Sequence, residues 1–153
     1  MADFKNSFKA GVESALVADN NKKEIQDLIE EVNSQITESY EGKVHFGVWN
    51  LTRTSKNRKN IFSSITDPLS IDITSYKALC ISDYNNKSPI ELAEWKVDEN
   101  GYPCMVKHDD RESYCFNKEE LISEISSLLS SVKTGNAILE KLKFFSERGS
   151  KES

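Results

Sequence analysis

The sequence predicts an α+β domain: N-terminal helices, an antiparallel meander of four to five short strands, and C-terminal helices packed on one face of the sheet. Three observations lead there. Apolar residues recur at helical spacing toward both ends of the chain, and they alternate with polar residues in its middle. The alternating segments are joined by turns too short for the crossovers that parallel neighbours need, so the strands are antiparallel and helices must cover one face.

Residues 2–18 place Phe4, Phe8, Val12, Ala15 and Leu16 at helical spacing, with Asp3 near the start as a cap. Asp19-Asn20-Asn21 then interrupts the pattern, so this segment either runs on into the next helix or folds back on it as a hairpin. From Lys22 the positions Ile25, Leu28, Ile29, Val32, Ile36 and Tyr40 form one amphipathic stripe, and Gly42 supplies a stop.

At Lys43 the period changes. Val44, Phe46 and Val48 alternate with His45, Gly47 and Trp49, predicting a strand over 43–51. Residues 52–75 have no period and read as a long loop with at most one short element. Tyr76–Asp83 and Ile90–Val97 are the next strands, separated by the turn-rich Asn85-Asn86-Lys87-Ser88-Pro89. The Asn100-Gly101 pair predicts a hairpin into a fourth strand, Tyr102–Lys107. Residues 108–112 read as a turn before a short strand at Ser113–Phe116. Asn117 is the expected N-cap of a helix carrying Glu119 and Glu120 in its first turn and Leu121, Ile122, Ile125, Leu128, Leu129 and Val132 as its stripe. Gly135 is expected to end it, Ile138, Leu139, Leu142 and Phe145 mark a last helical segment, and the tail 146–153 is expected to fray.

All 153 residues fit one domain, of a size that can bury a core without staples. No basic and apolar leader opens the chain, no apolar run approaches the ~18 residues of a membrane span, and three Cys do not suit a disulfide framework. The expectation is a cytoplasmic protein with no membrane contact. The net charge of −5 is unevenly placed: residues 1–42 sum to −5, 43–77 to +4, 78–117 to −4, and 118–153 to zero. Acidic stretches of this kind steer a basic partner and repel nucleic acid away from the central segment.

Four constellations bear on chemistry. Asp83, ten intervening residues and then Glu94-Trp95-Lys96 place a carboxylate at the end of one strand and an acid-x-Lys triplet on the next. Together with Glu38 or Glu41 from the preceding helix, this resembles the PD-(D/E)xK nuclease core. The resemblance implies Mg²⁺ held by Asp83 and Glu94, with Lys96 positioning water. No Pro precedes Asp83, however, and the same side chains also read as ordinary strand and surface charges. Second, Cys80, Cys104, His108 and Cys115 are zinc-type ligands, with Cys104 and Cys115 as expected cross-strand neighbours, but no Cys-x₂-Cys pair exists and Cys80 also reads as a core residue. Third, His45 or His108 is a possible base for Cys104, although no helix start or Gly-rich elbow marks a nucleophile. Fourth, Arg53, Lys56, Arg58 and Lys59, between Trp49 and Phe62, form a basic segment able to contact phosphates or simply to be solvated. No Walker loop or Gly-x-Gly-x-x-Gly is present.

The reading favoured overall is a small acidic binding protein that inhibits or neutralises a basic macromolecular partner, as an immunity protein, antitoxin or phage-type inhibitor does, with no cofactor and no metal. Its expected contact acids are Glu30, Glu31, Asp98, Glu99, Asp109 and Asp110. The alternative is a nucleic-acid-binding protein or Mg-dependent nuclease using Asp83, Glu94 and Lys96, or the basic segment. A third reading is a subunit of a larger assembly whose helical ends form an oligomer interface.

Overall fold

A computed structural model describes residues 2–56 and 71–151 of the chain. The order of elements is α1 (Lys5–Ser39), β1 (His45–Lys56), β2 (Ile71–Ser82), β3 (Ile90–Asp98), β4 (Gly101–His108), β5 (Arg111–Cys115), α2 (Lys118–Leu129) and α3 (Val132–Lys151). The five strands form one antiparallel sheet in sequence order, β1-β2-β3-β4-β5. The predicted α+β layout is the one observed.

The first two helical segments are one helix of 35 residues. Asn21 does not break it; its side-chain amide donates to the Asn100 carbonyl at 3.1 Å and fastens α1 to the β3–β4 turn. The helix ends where Gly42 takes φ +77° and donates its N–H to the Thr37 carbonyl at 2.9 Å, satisfying an end carbonyl as a left-handed cap does. Asn33 Oδ1 then accepts from the Phe46 N–H at 2.9 Å, which ties β1 to the helix it has just left.

The helical layer and one face of the sheet share a single core. Ile25, Leu28, Ile29 and Ile36 of α1 meet Phe46, Leu79, Ile81, Trp95, Val106, Cys104 and Cys115 of the sheet. Leu121, Ile125 and Leu128 of α2 and Ala137 of α3 complete it. Register assigns the other face: Trp49, Ala78, Glu94 and Lys107 stand side by side across β1–β4, pointing away from that core. Burying Leu79, Leu92, Leu121 and Leu128 to about 1% exposure or less stabilises the fold by roughly 1.5–3 kcal/mol each.

Two hairpins differ in their turns. Glu99 and Asn100 link β3 to β4 with Asp98 opposite Gly101, and the positive φ falls on Gly101 (+91°) rather than on Asn100. This is a turn followed by a glycine bulge, not the paired left-handed turn that Asn-Gly usually signals. Asp109 (φ +52°) and Asp110 (φ +60°) link β4 to β5, and both are left-handed, as a two-residue turn between His108 and Arg111 requires. Asp tolerates that conformation better than most residues, which gives this pair a structural reason to be acidic.

Three boundaries depart from expectation. Residues 52–56 and 71–75, expected as loop, belong to β1 and β2, where Thr52 faces Ser75 and Thr54 faces Ile73. Strand hydrogen bonds need only a partner backbone. The alternation that reveals a strand in sequence arises where one face is buried, and Thr52, Thr54, Ile73 and Ser75 are all exposed. Gly135 does not end a helix. The break falls at Ser130-Ser131, where Ser131 Oγ donates to the Leu128 carbonyl at 2.7 Å and accepts from the Thr134 N–H at 3.3 Å, leaving Gly135 inside the first turns of α3. Finally, the last strand begins at Arg111, inside what reads as a turn in sequence. The Asn117 cap forms as expected, accepting from the Glu120 N–H at 2.9 Å while Glu120 Oε2 accepts from the Phe116 N–H.

Candidate functional site

Asp83, Glu94 and Lys96 do not converge. Asp83 is buried in the turn after β2, where its Oδ1 accepts from the Asn85 N–H at 2.9 Å and the Lys87 N–H at 3.0 Å. Its carboxylate organises the turn. Glu94 stands opposite Ala78, five β2 residues before Asp83, about 16 Å away along the strand. Glu94 is engaged elsewhere, accepting from Arg53 at 2.6 Å, and Arg53 itself lies 4.0 Å over the Tyr76 ring. Glu38 is exposed near the end of α1 and Glu41 lies in the turn beyond it, bridging to Lys43 at 3.7 Å. The carboxylates implied by the nuclease resemblance are therefore dispersed. Tyr76 is held above its ordinary pKa, first by its hydrogen bond to Glu91 and then by burial.

The zinc-type residues divide between the two faces. Cys104 and Cys115 are cross-strand partners, as their sequence positions suggested, and both lie in the core under the helices. Cys80 is on the opposite face of β2, beside Gly47 and Glu91. Among the described residues no three His, Cys, Asp or Glu side chains are grouped so as to hold a metal ion. Burial pushes the Cys80 and Cys104 thiols up to about 12 and Cys115 to about 11, opposing the thiolate that either metal binding or nucleophilic attack requires. His108 sits between Asp109 (3.5 Å) and Glu124 of α2 (3.6 Å), and His45 lies 3.5 Å from Thr37 Oγ1. His108 is four residues from Cys104 on the same strand, about 13 Å along it, so this pair is not a nucleophile and its base.

Of the basic segment, Arg53 is neutralised by Glu94, and Lys56 is the last residue of β1. Arg58, Lys59 and Phe62 lie outside the described residues. Trp49 is half-buried on the open face of β1.

The six expected contact acids fall at three places. Asp109 and Asp110 are exposed at one end of the sheet. Glu31 borders an apolar groove of about 400 Å³ between α1, α2 and α3, floored by Leu28, Ile36, Ile125 and Ile138. Glu30, Asp98 and Glu99 come together at the opposite end of the sheet, around a groove of about 630 Å³ between α1 and β1–β3. Ile25, Ile29, Val48, Trp95 and Val97 give this groove an apolar floor, while Lys22 and Lys77 complete its rim. In the sheet α1 packs chiefly on β1 and β4, and Val48 and Val97 in the groove remain about 40% exposed. Glu30 is steadied by Gln26, four residues before it, whose amide donates to it at 3.2 Å. Asp98 Oδ2 accepts from the Asn100 N–H at 3.0 Å, and the residue is exposed.

A second feature lies at the same end. Residues 2–17 are exposed throughout, so the first part of α1, from Lys5 to Val17, extends beyond the sheet for roughly 20 Å. Phe4, Phe8, Val12 and Leu16, each about 60–70% exposed, run along it. Sequence reasoning identified these residues as a stripe without distinguishing them from the stripe that enters the core. The signal was available: at 100° per residue the two stripes differ in direction by about 120°.

No protein-family model, curated protein or solved structure matches the chain. No described helix is long and apolar enough to cross a membrane.

Proposed function

We propose that this chain is a binding protein that occludes a basic protein partner, taking an apolar-and-basic segment of it into the groove between α1 and β1–β3. The observation that carries this reading is the meeting of Glu30, Asp98 and Glu99 around an apolar floor. An apolar anchor from the partner would cover Val48, Trp95 and Val97, and Lys or Arg beside that anchor would face the three carboxylates. Burial of the anchor supplies affinity, while the acids set orientation and accelerate encounter. Neutralisation follows if the segment captured is one the partner needs for its own activity, as in an immunity protein, antitoxin or phage-type inhibitor. A catalytic role has less support, because Asp83 and Glu94 are each committed to local structure far apart.

The test is affinity purification from the native cell, followed by titration of the purified partner in increasing salt. Glu30→Lys with Glu99→Lys is expected to weaken binding at least tenfold and to flatten the salt dependence. Asp109→Asn with Asp110→Asn, which keeps the turn and lies at the other end of the sheet, is expected to leave affinity unchanged. Recovery of no stoichiometric partner, or equal loss from both pairs of substitutions, would refute the proposal.

A further inference from the structure

From the projecting half of α1 we infer that two copies of this chain pair through it, antiparallel, about a two-fold axis passing near Val12. The surface is independent of the groove proposed above. Residues 2–17 touch nothing else among the described residues closely enough to be even half-buried, yet they carry Phe4 at 62%, Phe8 at 70%, Val12 at 60% and Leu16 at 59% exposure. An apolar stripe of this kind on a projecting helix signals a partner surface. Its direction, about 120° around the helix from Ile25, Leu28, Ile29 and Ile36, lets a second helix approach without meeting the chain's own sheet.

The choice of occupant follows from self-complementarity. In a two-fold contact centred on residue 12, each residue i meets residue 24−i of the other copy. Phe8 then meets Leu16 twice, Val12 meets itself, and Lys5 meets Asp19 twice. Lys5 and Asp19 lie on the stripe side of the helix, both are exposed, and neither has an ion pair among the described residues. A parallel pair in register would instead set Lys5 against Lys5 and Asp19 against Asp19. Phe8, Val12 and Leu16 form the centre of this contact and Phe4 covers its ends beside Asn20. Together the four apolar side chains per copy would bury on the order of 1,000 Å² in total, at the low end for a specific interface and so in the class of weak, reversible dimers. The two sheets lie at opposite ends of the paired segment.

The experiment is sedimentation equilibrium of the whole chain from 1 to 200 µM. Dimer is expected, and Val12→Glu is expected to raise the dissociation constant at least tenfold with an unchanged circular dichroism spectrum, because Val12 is exposed and outside the chain's own core. Lys5→Asp or Asp19→Lys alone is expected to weaken pairing about threefold to tenfold, and the two together to restore it. Under mild oxidation Val12→Cys is expected to give a disulfide-linked dimer, whereas Glu13→Cys, about 120° from the stripe's centre, is not; the native thiols are buried and do not compete. A monomer at 200 µM, association indifferent to Val12→Glu, or a charge swap that fails to restore pairing would each overturn the inference. So would a monomer that binds anionic lipid vesicles through Phe4 and Phe8.

Discussion

Substituting Gly101 by Ala tests how the helix and the meander are joined. An added Cβ at this position would stand 2.5 Å from Asn21 Cβ and 3.2 Å from the Asn21 carbonyl carbon. The backbone at φ +91° is also one that L side chains rarely adopt. The dihedral costs about 1–2 kcal/mol. The clash costs a further ~1–3 kcal/mol, because its nearest atoms belong to the rigid stem of a helical residue and the helix or the hairpin must shift. Together about 2–5 kcal/mol is expected, a large part of the ~5–15 kcal/mol that holds a domain together. Urea unfolding followed by circular dichroism measures it. The two contributions separate in a double-mutant cycle with Asn21→Gly, which removes the opposing Cβ. In that background Gly101→Ala loses the 2.5 Å contact but keeps the dihedral cost and the tight 3.2 Å approach to the helix backbone, giving a coupling of about 1–2 kcal/mol. A cost below about 0.5 kcal/mol for Gly101→Ala alone, or no coupling to Asn21→Gly, would refute the close approach.

Gly135→Ala is expected to have the opposite sign, because Gly135 lies in α3, is exposed, and an added Cβ meets nothing within 4 Å. A gain of about 0.5–1 kcal/mol in the same urea assay follows from the reduced freedom of the unfolded chain. Lys141 is buried, and its ammonium donates to the Ser88 carbonyl at 2.6 Å, holding α3 on the β2–β3 turn. Lys141→Met keeps the stem but orphans that carbonyl, so a loss of about 1–3 kcal/mol is expected, with faster amide exchange in the 84–89 turn. The three thiols give a pH dependence. They lose their protons near pH 8.5 in the unfolded chain but are held up to about 11–12 in the fold by burial, so the fold binds more protons between those limits. Their contribution is fully present below about pH 8.5 and falls as pH rises toward 12, which urea midpoints at pH 8 and pH 10.5 would show; labelling by a thiol reagent at pH 8 should need denaturant, and rapid labelling of the native chain would contradict the burial.

By itself the sequence determined the element types, the sheet's antiparallel order and the helical cover, because a core leaves its period in the residues that enter it. Ile25 to Ile36 and Leu121 to Leu128 show the helical period, and Phe46, Leu79, Ile81 and Val106 lie in alternating strands. The cap at Asn117 and the hairpin at Gly101 were legible for a similar reason, since local backbone demands select particular residue types. The outer halves of β1 and β2 were not legible, because uncovered strands need no alternation. Nor could the sequence separate the six acids or the two stripes of α1 by role. Only the tertiary structure brought Glu30 beside Asp98 and Glu99, nearly 70 residues away, and put Asp109 and Asp110 at the far end of the sheet. It likewise set Asp83 and Glu94 apart. Chemistry at a site depends on distances of a few ångströms, and those are fixed by how the strands register and where the helix crosses them, not by spacing along the chain.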